Sequence, residues 1–377
     1  MKQLLNRTWE TIRDLRGNFE RELPKEDAPY YRTLLKLLFI SLRAHTPSAT
    51  EINQNMNASV RIAQSAPVIP IILEIIKHVV SEGFREFATA IHDKAEGSSP
   101  EDIALITGVL QSCLRVPGVE LCQSQIVSIM AANGTPRVAT TLFSWSDSLA
   151  IDGDPIYGEL SILFLLELST MPLMAEQLAI GGILGHIACA NITSYLRRGN
   201  VSPFADGAGL QRCYSIWQRG ILPLLLNLLD AVQASIAGEV AIFLNQFAPL
   251  LEQSSKAFEA PESSRTSAET KPRYISLSMT SEIHSLSLLI FILNGFRDNV
   301  NPDIPAVKWD APAVLENVEF WLGARTILRE KIIAMGNRDA ELAKKKSGTF
   351  SYSAVNRLEE RVVGEMMGIR DILSAEP

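Results

Sequence analysis

The sequence predicts an all-α protein, an irregular α-solenoid of stacked helical hairpins of the HEAT or armadillo kind, curved or superhelical. Three observations predict it. Helix-start signals recur from one end of the chain to the other, while strand alternation occurs at one place only, Tyr274 to Met279. Helices in the middle of the chain are apolar on nearly every side, whereas the last one carries a single apolar stripe. Interior helices in the middle and amphipathic ones at the ends suit a stack in which each layer buries the previous one. No tetratricopeptide or ankyrin consensus recurs at a fixed period, hence the irregular class.

The 377 residues are 47% hydrophobic and 20% charged, ample material for a core. That length is near or past the usual size of one compact core, so the chain is expected to form either two domains or one elongated domain whose core runs along its length, and the stacking pattern selects residues 1–377 as a single elongated helical domain. Helices are expected over 3–18, 28–45, 50–65 and 70–92. The first carries Lys2, Arg7, Glu10, Arg13 and Asp14 among its apolar residues and so lacks the continuous apolar segment of a signal peptide. Ser99-Pro100-Glu101-Asp102 supplies a capping hydroxyl, a first-turn proline and acids that complement the helix dipole, opening a helix over 100–115. A helix over 119–132 should stop before Gly134, which is free to adopt positive φ. The same opening grammar at Thr135-Pro136 and Asp154-Pro155 starts helices over 136–149 and 155–170, and Leu160 to Leu166 makes the second an interior helix.

Gln177 to Leu196 contains no charged residue and is as long as a membrane span. Gln177, His186, Asn191 and the glycines 181, 182 and 185 favour instead a buried helix over 173–196, broken near the glycine pair, and no direct membrane span. His186 is read there as a hydrogen-bonded core histidine. Helices over 209–232 and 235–257 should kink or restart at Pro223 and Pro249, because proline removes a donor and clashes with the preceding turn. Glu259 to Arg273, rich in Ser, Thr, Pro and Glu, is expected to be a mobile surface loop. Next come an interior helix over 280–298 and one over 311–335 opened by Asp310-Ala311-Pro312. A short one over 338–346 follows, whose Lys344-Lys345-Lys346 satisfies the helix dipole. The last, over 353–374, has its stripe at Val355, Leu358, Val362, Met366, Ile369 and Ile372.

Chemistry is sparse. The net charge of −7, from 35 Lys+Arg against 42 Asp+Glu, disfavours a nucleic-acid binder working by bulk charge. Cys113, Cys122, Cys189 and Cys213 have neither disulfide nor zinc spacing and read as reduced, mostly buried thiols. Five scattered histidines offer no metal cluster, and no phosphate loop, dinucleotide fingerprint or nucleophile elbow occurs. Asp152-Gly153-Asp154 is short of a cation site, and Asp154 reads as a helix cap. No cofactor and no catalytic residue is expected.

The run Cys213-Tyr-Ser-Ile-Trp-Gln-Arg-Gly-Ile-Leu-Pro-Leu-Leu-Leu-Asn-Leu-Leu-Asp-Ala-Val232, with Ile236 to Phe247 after it and Tyr195 to Phe204 before it, resembles the large inner-ring scaffold nucleoporins. The closest likeness is to the C-terminal part of the nucleoporin 188 family, paralogous to nucleoporin 192/205. The resemblance implies a fragment of a much larger chain, a nuclear location at the nuclear pore complex, no enzymatic activity, and a scaffold role without cofactors, monomeric as a fragment. It also implies adaptor nucleoporins of the nucleoporin 93/Nic96 type as partners, with Phe-Gly repeats as a second class. A HEAT-like adaptor of a trafficking or signalling complex and an α-helical enzyme are the alternatives. Grooves between stacked helices accept amphipathic helices or single aromatic side chains. The C-terminal third is the expected adaptor site, through Val318, Trp321 and Leu322 on one helix and Val355, Leu358, Val362, Met366 and Ile369 on the last. The competing outcome is that these residues pack on one another as the final layer.

Overall fold

The computed structural model describes residues 2–20, 23–24, 26–44, 65–93, 99–259, 274–344 and 356–375. They cluster into two units, Met1–Ile187 and Ala188–Pro377. The expected helix over 50–65 and the expected loop 259–273, apart from Glu259, lie outside the described residues.

The first unit holds α1 (Lys2–Leu15), α2 (Ala28–Arg43) and α3, which runs through Ile69–Ile75, a π-helical turn Ile76–Glu82 and Gly83–Asp93. It continues with α4 (Pro100–Leu114), α5 (Gln123–Ala132), α6 (Thr135–Trp145), α7 (Ile156–Ser169) and α8 (Pro172–Ile180), and α9 (Ile183–Cys189) reaches its end. Packing follows a line in which α1 lies on α2, α2 on α4, α4 on α7 and α7 on α6. The interior character read from Leu160 to Leu166 is observed: Tyr157, Ile162, Phe164, Leu165 and Leu168 of α7 are all buried, and Phe164 stacks on Phe84 of α3 at 4.0 Å between centroids. Each such side chain withdrawn from water is worth roughly 1.5–3 kcal/mol. Two arginines fasten the layers with forked pairs, Arg16 to Glu86 at 2.9 and 2.7 Å and Arg32 to Asp102 at 2.6 and 2.9 Å.

The second unit holds α10 (Thr193–Arg198) and α11, which runs through Ala208–Ser215, a π-helical turn Ile216–Ile221 and Leu222–Val232. It continues with α12 (Ala234–Asn245), α13 (Ala248–Ser255), α14 (Leu277–Asn299), α15 (Ala311–Gly323), α16 (Arg325–Lys331), α17 (Gly336–Ala343) and α18 (Arg357–Ser374). At its centre α14 packs on α11, α12 and α18, and α18 also covers α15. By length and composition α14 is the one described helix that could cross a membrane. Its buried Glu282, Ile283, Leu286, Leu289 and Leu293 are enclosed by protein here.

Local signals hold where their chemistry is local. The Ser99 hydroxyl accepts from Glu101 N–H at 3.3 Å and the Asp310 carboxylate from Ala313 N–H at 3.1 Å. Pro223 comes two residues after a π-helical turn, whose wider hydrogen-bond spacing accommodates a residue without an N–H. Pro249 restarts the chain as α13, bent 82° from α12. The stretch 173–196 is broken as expected, with Gly182 at φ +69° and α9 bent 59° from α8.

Four expectations are corrected, and the one stretch of strand alternation is placed. Thr135 is not a cap: it is buried, hydrogen-bonded to the Ser81 hydroxyl at 2.7 Å, and Gly134 precedes the helix with φ +62°. Asp154 stands one residue before the cap position, which Pro155 takes, and Asp152 and Gly153, both at positive φ, close a tight turn in which Ile151 and Asp154 exchange backbone bonds of 3.0 and 2.8 Å. Tyr274 to Met279 forms no strand beyond one bridge. Ile275 exchanges backbone bonds with Lys331 and Ile333, both 2.9 Å, and Ser276 then caps α14. The expected helix 311–335 divides at Gly323-Ala324 into α15 and α16. Finally, His186 is exposed: Ile183, Leu184 and Ile187 of α9 take the core and leave it on the outer face.

Candidate partner-binding grooves

The expected adaptor residues of the C-terminal third are found together, and they are found inside. Val318 and Trp321 of α15 pack in one core with Val362, Met366 and Ile369 of α18, Leu322 lies half-buried against it, and Leu358 is buried in the first turn of α18. The Trp321 indole N–H donates to the Phe258 carbonyl at 2.7 Å, so its one polar atom is satisfied within the unit. Val355 lies outside the described residues. In this conformation these side chains hold the last layer together. What that layer presents outward is Phe320, Ile327 and Met367, each about two-fifths exposed.

A groove of about 550 Å³ opens in the first unit. One wall is α6, contributing Arg137, Thr141, Ser144 and Trp145, and the other is the bent pair α8–α9, contributing Leu178 and His186. Trp145 is 55% exposed although it is the largest side chain of α6, and His92 meets its ring edge-on at 5.7 Å. The 59° bend at the glycine pair sets the angle within the α8–α9 wall. An exposed indole flanked by hydroxyls suits a partner's apolar side chain and backbone rather than a reaction.

A second groove, of about 790 Å³, lies in the second unit between α11, α14, α17 and α18. Its lining includes Arg219, Arg338 and Arg361, the hydroxyls of Ser278, Ser281 and Ser285, and the apolar Pro223 and Leu226. His284 Nδ1 and Glu365 Oε2 meet there at 2.5 Å. Beneath it, Glu282 is buried and accepts from the Tyr214 hydroxyl at 2.7 Å and the Trp217 indole N–H at 3.0 Å. Loss of water pushes the Glu282 carboxyl up to about 7 despite those two donors. With no exposed oxygen to offer a substrate, it is a buried polar link between α11 and α14.

Among the described residues no group of three His, Cys, Asp or Glu could hold a metal ion. Cys113 and Cys213 are buried, Cys122 is half-buried and Cys189 is exposed, with burial pushing the Cys113 thiol up. Neither groove was legible beforehand, since each is walled by segments dozens of residues apart.

The model of the nuclear pore protein NUP188 C-terminal domain matches residues 4–373. Among curated proteins, Nucleoporin NUP188 of Chaetomium thermophilum is 42% identical over 391 aligned residues, covering 94% of this chain and 21% of that protein. Nucleoporin nup184 of Schizosaccharomyces pombe is 26% identical over 297, covering 79% and 17%. The chain thus spans about a fifth of the length of the curated relatives it matches. The solved structure of Nup188 residues 1445–1827 from Myceliophthora thermophila superposes with a TM-score of 0.82 at 44% identity, covering 99% of this chain and 98% of that one. All-α architecture and a match along nearly the whole length lead to one family: the chain belongs to the C-terminal domains of the nuclear pore protein NUP188.

Proposed function

We propose that the chain is a scaffold segment of the nuclear pore complex that works as a protein-binding surface. Its partners are adaptor nucleoporins of the nucleoporin 93/Nic96 type and, more weakly, Phe-Gly repeats. Family membership supports the scaffold role, and the observation that supports the binding role is the α6/α8–α9 groove with its exposed Trp145. An exposed tryptophan in a concave wall is the kind of residue on which a few contacts carry most of an interface's energy. An amphipathic adaptor helix would lay several side chains along such a groove, whereas a Phe-Gly repeat would insert one phenyl ring and depend on multivalency.

The test is a titration of labelled adaptor segments against the chain and against Trp145→Ala. The side chain is exposed, so the variant should keep its helical circular dichroism and lose roughly tenfold or more in affinity, about 1.4 kcal/mol or above. Unchanged affinity in the folded variant would move the adaptor to another face, with Phe320, Ile327 and Met367 the next surface to substitute.

A further inference from the structure

The second groove carries charge that its own acids do not neutralise. Asp339 is buried and its carboxylate accepts from Met335 N–H at 3.1 Å, and Glu365 is engaged with His284. Arg338 on α17 and Arg361 on α18 are both exposed, and among the described residues neither is in an ion pair. They face a polar ridge of Ser278, Ser281 and Ser285, spaced three and four residues apart along α14 and half-buried. Across from that ridge Pro223 and Leu226 of α11 form a partly buried apolar wall. The groove therefore offers forked donors, hydroxyls and an apolar strip side by side, in a chain whose net charge is −7.

We propose that this groove docks an acidic, amphipathic peptide segment of a partner protein, whose carboxylates pair with Arg338 and Arg361 while its apolar side chains lie on Pro223 and Leu226. Guanidinium groups hold planar carboxylates through two parallel bonds, a match that a lysine patch would not provide. The apolar strip distinguishes the occupant from a free inorganic anion, which would leave that strip in water. The site is separate from the Trp145 groove, in the other unit, and does not depend on what binds there.

A display library of random 16-residue peptides, selected on the whole chain, tests this. Selected peptides should show an excess of Asp and Glu interleaved with apolar residues. The charge-reversal pair Arg338→Glu with Arg361→Glu, folded by circular dichroism, should weaken a selected peptide at least tenfold, while Trp145→Ala leaves its affinity unchanged. Competition by 10 mM inorganic phosphate should be weak, and phosphatidylserine vesicles should not sediment the chain. Selected peptides without acidic excess, equal affinity for the reversed pair, or arginine-dependent vesicle binding in place of peptide binding would each overturn the proposal.

Discussion

Glu282 shows how a single buried acid ties stability to pH. Its carboxyl titrates near 7 in the folded chain against an ordinary 4.5, because removal from water outweighs the Tyr214 and Trp217 donors. Between those two values the folded chain keeps a proton that the unfolded chain has released. The group's stabilising contribution is therefore complete below about pH 4.5 and is lost as pH rises through 7. The shift corresponds to at most about 3 kcal/mol across the window. Glu282→Gln cannot ionise, so the other titrating groups cancel when variant and parent are compared. The difference in unfolding free energy, variant minus parent, should climb by up to that amount between pH 4.5 and 8 in urea titrations. A difference that stays flat with pH would mean that Glu282 is ionised throughout, with the two donors outweighing burial.

At the scale of the element, α18 is held against α14 by the absence of a side chain. A Cβ on Gly368 would stand 2.9 Å from His284 Nε2 and 3.0 Å from its Cε1, and that ring is anchored through its other nitrogen to Glu365. Gly364, one turn earlier on α18, would meet nothing within 4 Å. Alanine is intrinsically better than glycine in a helix by about 1 kcal/mol, so the two sites should respond with opposite sign. Gly364→Ala should gain up to that amount, while Gly368→Ala should lose about 1–2 kcal/mol net once steric overlap exceeds the propensity gain. Chemical denaturation of the pair decides it, and a stabilised Gly368→Ala would show that His284 swings away freely. Elements of this kind mark the boundary of what could be read from the chain. Ser99, Asp310, Pro249 and the glycine pair were legible because their partners lie within one helical turn. Thr135 was misread because its partner, Ser81, is 54 residues away. Val318, Trp321 and the α18 stripe were legible as large apolar groups on two helices, but periodicity cannot say whether the opposing surface belongs to the same chain or to another. Arg338 and Arg361 gave no signal at all, since each is an ordinary exposed helix residue until α11 and α14 bring an apolar wall and a hydroxyl ridge beside them.

For the whole molecule the controlling quantity is the net charge of −7, and it separates two kinds of acidic ligand. A short peptide in the α11/α14/α17/α18 groove interacts over distances comparable with the Debye length, about 10 Å at 0.1 M salt, so it feels mainly Arg338 and Arg361. Duplex DNA carries a charge every ~1.7 Å of its axis and extends far past any one groove, so most of its phosphates would face the acidic remainder of the surface. Counterion release rewards only phosphates that meet a cation, and two arginines with Arg219 nearby supply too few. The expected result is no electrophoretic shift of a 30-base-pair duplex at 50 mM salt with protein up to 10 μM, under conditions where an acidic peptide selected on the chain still binds. A salt-sensitive shift lost in the Arg338→Glu, Arg361→Glu variant would show that the local cluster overrides the global charge and that the groove reads anionic polymers in general. Retention of that shift in the variant would instead locate the nucleic-acid contact on a different face and leave the peptide assignment standing.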